Sequence, residues 1–326
     1  MGLVKHSYDL PFNILRCAYV EYGVTDLDAS RKFYTKAIGL VETETHDDTI
    51  YLRCLEEHDH HSYILKKADK AGVFGIGFKV AFEKDLDLLE AHFQQLGHKT
   101  EWVTKYAQDR TLRTHTPQGI PLEFFARQKR VESLIREFHL FKGCHPQRFD
   151  HFNVFTPDAQ STYEFFVTQL GFRLTEYTLT EKGEMWAAWM HRKGNVHDMA
   201  LTNGDGPRLH HSAVWSPTAM HIIHMLDVMA SIGYVPNIER GPGRHGVSNA
   251  FFLYVLDPDG HRIEIYTNDY LTIDPDMEPL GWKLSDPRRQ TLWGAPAPRS
   301  WFENGSKFYD SPVREATMEA KPIIAE

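Results

Sequence analysis

The 326-residue chain repeats itself, and the repeat restricts its architecture more than any single motif does. Thr25-Asp26 leads through Phe33-Tyr34 to Ile38-Gly39-Leu40, and Thr156-Pro157-Asp158 leads through Phe165-Phe166 to Leu170-Gly171-Phe172. In each copy a capping Asp opens an apolar helical pattern and a glycine closes it. Thr116-Pro117-Gln118-Gly119 before Glu123-Phe124 has its counterpart in Asp257-Pro258-Asp259-Gly260 before Glu264-Ile265, two tight hairpin turns followed by the same acid. Gly97 and Gly233 close two further helices. Around these landmarks, strand-like runs at 14–24, 40–45, 49–55 and 62–66 are followed by a strand at 73–81, a helix at 85–95 and strands at 112–116 and 121–126. The second half follows the same plan. The chain therefore reads as an α+β protein of four βαβββ modules of roughly 55 residues. They pair into an N-terminal domain (1–142) and a C-terminal domain (143–284), linked by the charged residues 129–137, with a leader of about ten residues in front. Residues 285–326 are expected to form a Pro- and Arg-rich lid or subunit-contact arm, with a disordered tail as the alternative reading of 307–326.

The 42% hydrophobic and 13% aromatic content is enough for two packed cores. A net charge of -8 excludes a nucleic-acid surface, and no apolar run is long enough to cross a bilayer. The start does not read as a signal peptide, and Cys17, Cys54 and Cys144 make no paired motif. A reducing cytoplasm is the expected compartment.

The 19 histidines are the unusual figure, and the repeat serves as a control for them. Arg262, Glu264 and Tyr266 share one strand face, and an acid inside so apolar a hairpin needs a cation to face. His151 and His211 stand at the starts of the last two modules. Their counterparts in the first half, Val20 or Tyr19 and Gly75, bind no metal, although Glu123 matches Glu264. The second half alone is thus expected to hold a site. Two imidazoles and a carboxylate on inward faces of adjacent strands make the ligand set of non-haem Fe(II) oxygenases; Fe(II) is the expected ion, and Mn(II) would fit the same ligands. His210 is adjacent to His211 and is expected to point to the opposite face in a structural role. His58, His60 and His61 are expected in a solvated loop, and His221 and His224 on a helix surface.

Four stretches carry a resemblance to a known family: Leu15-Arg16-Cys17-Ala18-Tyr19, Thr49-Ile50-Tyr51-Leu52-Arg53, Ala187-Ala188-Trp189-Met190-His191-Arg192-Lys193, and residues 238–251, IERGPGRHGVSNAF. Over residues 15–302 the chain resembles the type I extradiol catechol dioxygenases of the vicinal-oxygen-chelate fold, most closely those acting on homoprotocatechuate (3,4-dihydroxyphenylacetate). The resemblance implies His151, His211 and Glu264 as metal ligands and His197 as the acid–base histidine. It implies Tyr254 and His245 beside the reacting oxygens, and Asn153 and Trp189 in the substrate pocket. The implied reaction inserts both atoms of dioxygen into a catechol, giving 5-carboxymethyl-2-hydroxymuconate semialdehyde from 3,4-dihydroxyphenylacetate. A homotetramer is implied as well. Arg240 matches one carboxylate-binding position; the second falls on Gln290 in ungapped register, or on Arg289 if the loop shifts by one. Loss of that second guanidinium would favour a neutral alkyl- or chloro-catechol. The other readings are a non-oxygenase metal enzyme of glyoxalase type and a binding protein on the same fold.

Overall fold

The computed structural model describes residues 3–318 except Lys5, Ser7, Tyr8 and Pro275, so residues 319–326 of the expected tail lie outside the described residues. The first unit runs β1 (Ile14–Val24), α1 (Leu27–Lys32), β2 (Val41–His46), β3 (Thr49–Arg53), β4 (Tyr63–Lys67), β5 (Gly72–Val80), α2 (Glu83–Gln95), β6 (Thr100–Lys105), β7 (Gln108–His115) and β8 (Pro121–Phe125). The second runs β9 (Arg148–Thr156), α3 (Ala159–Leu170), β10 (Arg173–Leu179), β11 (Met185–His191), β12 (Met199–Asn203), β13 (Arg208–Trp215), α4 (Ala219–Ser231), β14 (Ile238–Arg244), β15 (Phe251–Leu256) and β16 (Arg262–Thr267). Strand β17 (Leu280–Lys283) lies just before the arm, which carries the short strands β18 (Trp293–Gly294) and β19 (Ser306–Lys307) and the helix α5 (Arg299–Glu303).

The first sheet has the order β2-β3-β4-β1-β5-β8-β7-β6, and the second contains β10-β11-β12-β9-β13-β16-β15-β14. The two sheets have the same strand order. The C-terminal segment extends the second copy, with β17 on β10, β18 on β14 and β19 on β13. The helix signals behave as the residues dictate. Asp26 accepts from the N–H groups of Asp28 and Ala29 at 3.0 Å, and Asp158 accepts from Ser161 N–H at 2.9 Å. Gly39 and Gly171 end the two copies in left-handed backbone, at φ of 96° and 69°. The first helix differs in one respect, since its second half, Phe33–Ile38, winds as a π-helix. Strand β6 was not among the expected strands because it is an edge strand with a mostly solvent-facing, polar pattern. The leader is also tied down: Val4 N–H donates to Tyr163 OH at 3.2 Å, and the His6 ring meets the Phe172 carbonyl at 3.2 Å.

One face of each sheet packs on helices, and the helices of the two units pack on one another. Phe93 of α2 lies 6.3 Å from Phe165 of α3, and Phe33 meets Tyr234 at 5.2 Å. Ile263 and Ile265 of β16 belong to this continuous core. Glu264 alternates to the other face, where the site lies.

Candidate metal centre

Strand register places the two halves residue on residue. Phe152–Ser212 pairing in the second sheet matches Val20–Ile76 in the first, and Ala213–Glu264 matches Gly77–Glu123. The counterparts of His151, His211 and Glu264 are therefore Tyr19, Gly75 and Glu123, which decides the choice between Tyr19 and Val20. A side chain at Gly75 would crowd the Glu123 carboxylate, since a Cβ there would sit 3.0 Å from its carboxyl carbon. Glu123 is fully buried and receives Lys105 Nζ at 2.9 Å, Arg113 Nη2 at 2.7 Å and Tyr19 OH at 2.5 Å. An ammonium and a guanidinium thus neutralise the carboxylate of the first half. His61 is the counterpart of His197, because Tyr63 pairs with Val20 as Met199 pairs with Phe152. This corrects the expectation of a solvated histidine loop at two of its three positions: His58 is exposed, but residues 59–62 lead into β4, and His60 and His61 are 0% and 1% exposed. His60 bonds Glu44 at 3.1 Å and the His61 ring at 3.1 Å.

In the second half the three expected ligands converge. His151 Nε2 and His211 Nε2 each lie 3.0 Å from Glu264 Oε2 and 3.2 Å from each other. Hydrogen-bond partners fix what these atoms carry. His151 Nδ1 faces the Asp150 carboxylate at 3.1 Å, an acceptor, so Nδ1 holds the proton. His210 Nε2 faces the Trp301 carbonyl at 2.8 Å and must donate, which makes His210 Nδ1 an acceptor. His211 Nδ1, 2.5 Å away, then donates to it. Both Nε2 atoms are left as lone pairs aimed at a carboxylate, an arrangement that fits a divalent cation. Burial pulls the His211 pKa down to about 4. Burial also opposes charge on His151, but the negative charges of the facing Asp150 and Glu264 carboxylates outweigh it and raise its pKa.

The His210 expectation is corrected here. A β-bulge between the Leu209–Val154 and His211–Asn153 pairs breaks the alternation, so the two imidazoles sit edge to face at 4.8 Å. Asp150 is likewise an orienting partner that the sequence reading missed. Its Oδ2 also accepts from Asn195 Nδ2 at 2.8 Å and from the Tyr266 hydroxyl.

The centre opens into a cleft of about 460 Å³ lined by ten of the eleven expected site residues, Arg240 being the exception. Val247, Ser248, Tyr266 and Trp301 complete the lining. Trp301 comes from α5, far along the arm, where no local pattern could announce it. The His197 ring lies 3.9 Å from that of His151, with Nδ1 buried and unpartnered. Burial, then the nearby His151, pulls its pKa well below 6.5, so the imidazole starts neutral. Tyr254 OH donates to His245 Nε2 at 3.0 Å, because His245 Nδ1 is engaged with the Gln290 carbonyl. Asn153 Oδ1 accepts from Thr202 at 3.1 Å, which leaves its amide N–H groups for the cleft.

Arg240 stands one layer back, its guanidinium over the rings of Phe252 (4.7 Å), Trp301 (4.9 Å) and Tyr254 (5.7 Å). Its Nη2 donates to the Gln290 carbonyl at 3.1 Å and to Thr291 Oγ1 at 2.8 Å, while Nε and Nη1 are buried without partners. Arg289 reaches the cleft itself, 3% exposed and 5.0 Å from the Trp186 ring, with Nε unpartnered. Burial, with Arg240 nearby, brings its pKa down to about 10. Two buried guanidiniums with vacant donors make a receptor for an anion.

Residues 148–265 match the Glyoxalase/Bleomycin resistance protein/Dioxygenase superfamily. Homoprotocatechuate 2,3-dioxygenase from Brevibacterium fuscum superposes with a TM-score of 0.92 at 42% identity, covering 98% of this chain and 90% of that one. The chain belongs to the extradiol dioxygenase family. The homoprotocatechuate 2,3-dioxygenase of Arthrobacter globiformis gives a TM-score of 0.90 at 43% identity over 94% of this chain and 97% of that one. A structure of the Brevibacterium extradiol dioxygenase carries bound 3,4-dihydroxyphenylacetate, with a TM-score of 0.90, 43% identity and coverage of 96% and 99%. Among curated relatives, a manganese-dependent 2,3-dihydroxybiphenyl 1,2-dioxygenase from Geobacillus genomosp. 3 is 28% identical over 301 residues, 87% of this chain and 94% of its own.

Proposed function

We propose that this extradiol dioxygenase cleaves 3,4-dihydroxyphenylacetate beside its vicinal hydroxyls. The observation that carries the reading is the convergence of two imidazole lone pairs and the Glu264 carboxylate on a cleft with vacant guanidinium donors. His151, His211 and Glu264 hold Fe(II) or Mn(II). Such an ion supplies Lewis acidity for the catechol oxygens and a path for electrons between ring and dioxygen. His197, neutral and within the cleft, accepts a catechol hydroxyl proton at its ring nitrogen and returns it to oxygen later in the turnover. Tyr254 can turn its hydroxyl from His245 toward a catecholate oxygen, with His245 holding it in place. Trp189, Val247 and Trp301 exclude water from the ring, and Asn153 supplies an amide donor.

The substrate carboxylate goes to Arg289, with Arg240 behind it. Arg289, rather than Gln290, is the second member of the clamp, because its unpartnered guanidinium shares the cleft wall. The same observation favours the acid over a neutral alkylcatechol. The first unit serves as scaffold and the second carries the chemistry. Exposed apolar side chains on the arm and the segment before it, Leu271, Ile273, Leu280, Leu292 and Trp293, support subunit contacts of a homotetramer. The three cysteines are buried and unpaired, which suits a cytoplasmic enzyme, and among the described residues no helix is long and apolar enough to cross a membrane. Purified protein given Fe(II) or Mn(II), air and 3,4-dihydroxyphenylacetate is expected to form a yellow semialdehyde; no product from any catechol would refute the reading.

A further inference from the structure

Two of the stretches that carry the family resemblance, Leu15-Arg16-Cys17-Ala18-Tyr19 and Ala187-Ala188-Trp189-Met190-His191-Arg192-Lys193, supply only Trp189 to the cleft. They meet behind it. Asp198 follows His197 in sequence and is fully buried. Its Oδ1 accepts from Lys193 Nζ at 2.8 Å and from the backbone N–H of Cys17, in the first sheet, at 2.8 Å. Its Oδ2 accepts from the backbone N–H groups of Arg192 at 2.6 Å and Lys193 at 3.0 Å. The Lys193 ammonium also donates to the backbone carbonyl of Asp150, where the Cys17 thiol donates too, at 2.7 Å. Asp150 precedes His151. One half-buried ammonium therefore grips the residue after His197 and the residue before His151.

His197 needs such a grip. Its ring meets that of His151 at 3.9 Å with the planes tilted by 43°, and Nδ1 has no hydrogen-bond partner. A ring without a hydrogen bond at that nitrogen depends on its backbone for its position, and backbone errors of an ångström are costly in catalysis. Asn195 in the same turn donates to the His197 carbonyl at 3.0 Å, and Arg192 Nε donates across to the Ile14 carbonyl at 2.7 Å. The turn is fastened to the first sheet at both Cys17 and Ile14.

We propose that Lys193 and Asp198 are positioning residues that hold His197 over the metal centre, and that the first unit takes part in catalysis by anchoring this clamp through Cys17. The proposal rests on the reading of His197 as the acid–base group. Lys193→Met keeps the side-chain length and removes the charge. With metal content equal to wild type, it is expected to lower kcat by about 10- to 100-fold while KM stays within about two-fold. In a His197→Phe background the same change is expected to alter kcat by less than about two-fold, because the clamp then has nothing to position. Anaerobic binding of 4-nitrocatechol, whose visible absorption reports its ionisation, is expected to give a less ionised ligand in Lys193→Met than in wild type. Asp198→Asn, which preserves shape, gives a second entry to the same cycle if Lys193→Met does not fold. Losses that multiply across the double variant, or a kcat within about two-fold of wild type, would overturn the clamp. A metal-loaded wild type that cleaves no catechol would overturn the functional reading instead, and the clamp with it.

Discussion

His211 Nδ1 lies 2.5 Å from His210 Nδ1, and His210 passes the contact on to the Trp301 carbonyl at 2.8 Å. A ligand imidazole is thereby held in one tautomer by its own neighbour in sequence and by the C-terminal arm. His210→Phe removes the acceptor while keeping the ring volume. It is expected to weaken Fe(II) or Mn(II) binding by about 10- to 100-fold, read by competition with a chelator of known affinity.

Removal of the metal leaves two lone pairs and a carboxylate facing one another within 3.2 Å. Stripping with a chelator is expected to abolish ring cleavage and lower Tm, with both restored by Fe(II) or Mn(II). At a hundred-fold excess over Kd, the ion contributes about 2.7 kcal/mol to stability. Differential scanning calorimetry checks the shift, and Glu264→Ala is expected to erase it.

Arg289 and Gln290 separate by substrate. Arg289→Met loses one charge-assisted contact, worth about 1.5–3 kcal/mol. The expected result is a fall of about 10- to 150-fold in kcat/KM for 3,4-dihydroxyphenylacetate, with 4-methylcatechol little changed. Gln290→Ala is expected to spare the discrimination, since the Gln290 backbone carbonyl is what His245 and Arg240 touch. Steady-state kinetics with both catechols decides it.

In the first unit, Glu123 without Lys105 is a buried carboxylate that has lost one of its two cationic partners. Lys105→Met is expected to cost about 3–5 kcal/mol of unfolding free energy with kcat intact. The pH dependence has a definite sign. Burial pushes the Glu123 pKa up, but Lys105 and Arg113 outweigh it and hold the carboxyl below its ordinary 4.5. The folded value is depressed, so its contribution is present above about pH 4.5 and is lost as pH falls through the folded value. Glu123→Gln is therefore expected to be less stable than wild type at pH 7 and to lose less stability between pH 5 and 3, measured by urea unfolding.

The repeat was legible because its signals are local. Asp26 and Asp158 cap, Gly39 and Gly171 stop, and Gly119 and Gly260 adopt the positive φ their turns require, at 88° and 86°. The ligands were legible because the two halves differ at Tyr19 and Gly75, against His151 and His211. What escaped depends on contacts that alternation rules do not carry. A bulge turned His210 toward His211, Asp150 reached its own neighbour's ring, and Trp301 arrived from 90 residues beyond His211. The histidines at 60 and 61 read as solvated because their composition is polar, and they are buried because His61 keeps the place that His197 holds in the other half.

The position of ring cleavage tests the account most directly. Metal-loaded protein, dioxygen and 3,4-dihydroxyphenylacetate, with the product analysed by NMR, should give the semialdehyde formed by opening the ring beside the two hydroxyl carbons, with both oxygen atoms incorporated. A dicarboxylic acid formed by opening between those carbons, or recovery of intact catechol from fully metallated protein, would contradict it.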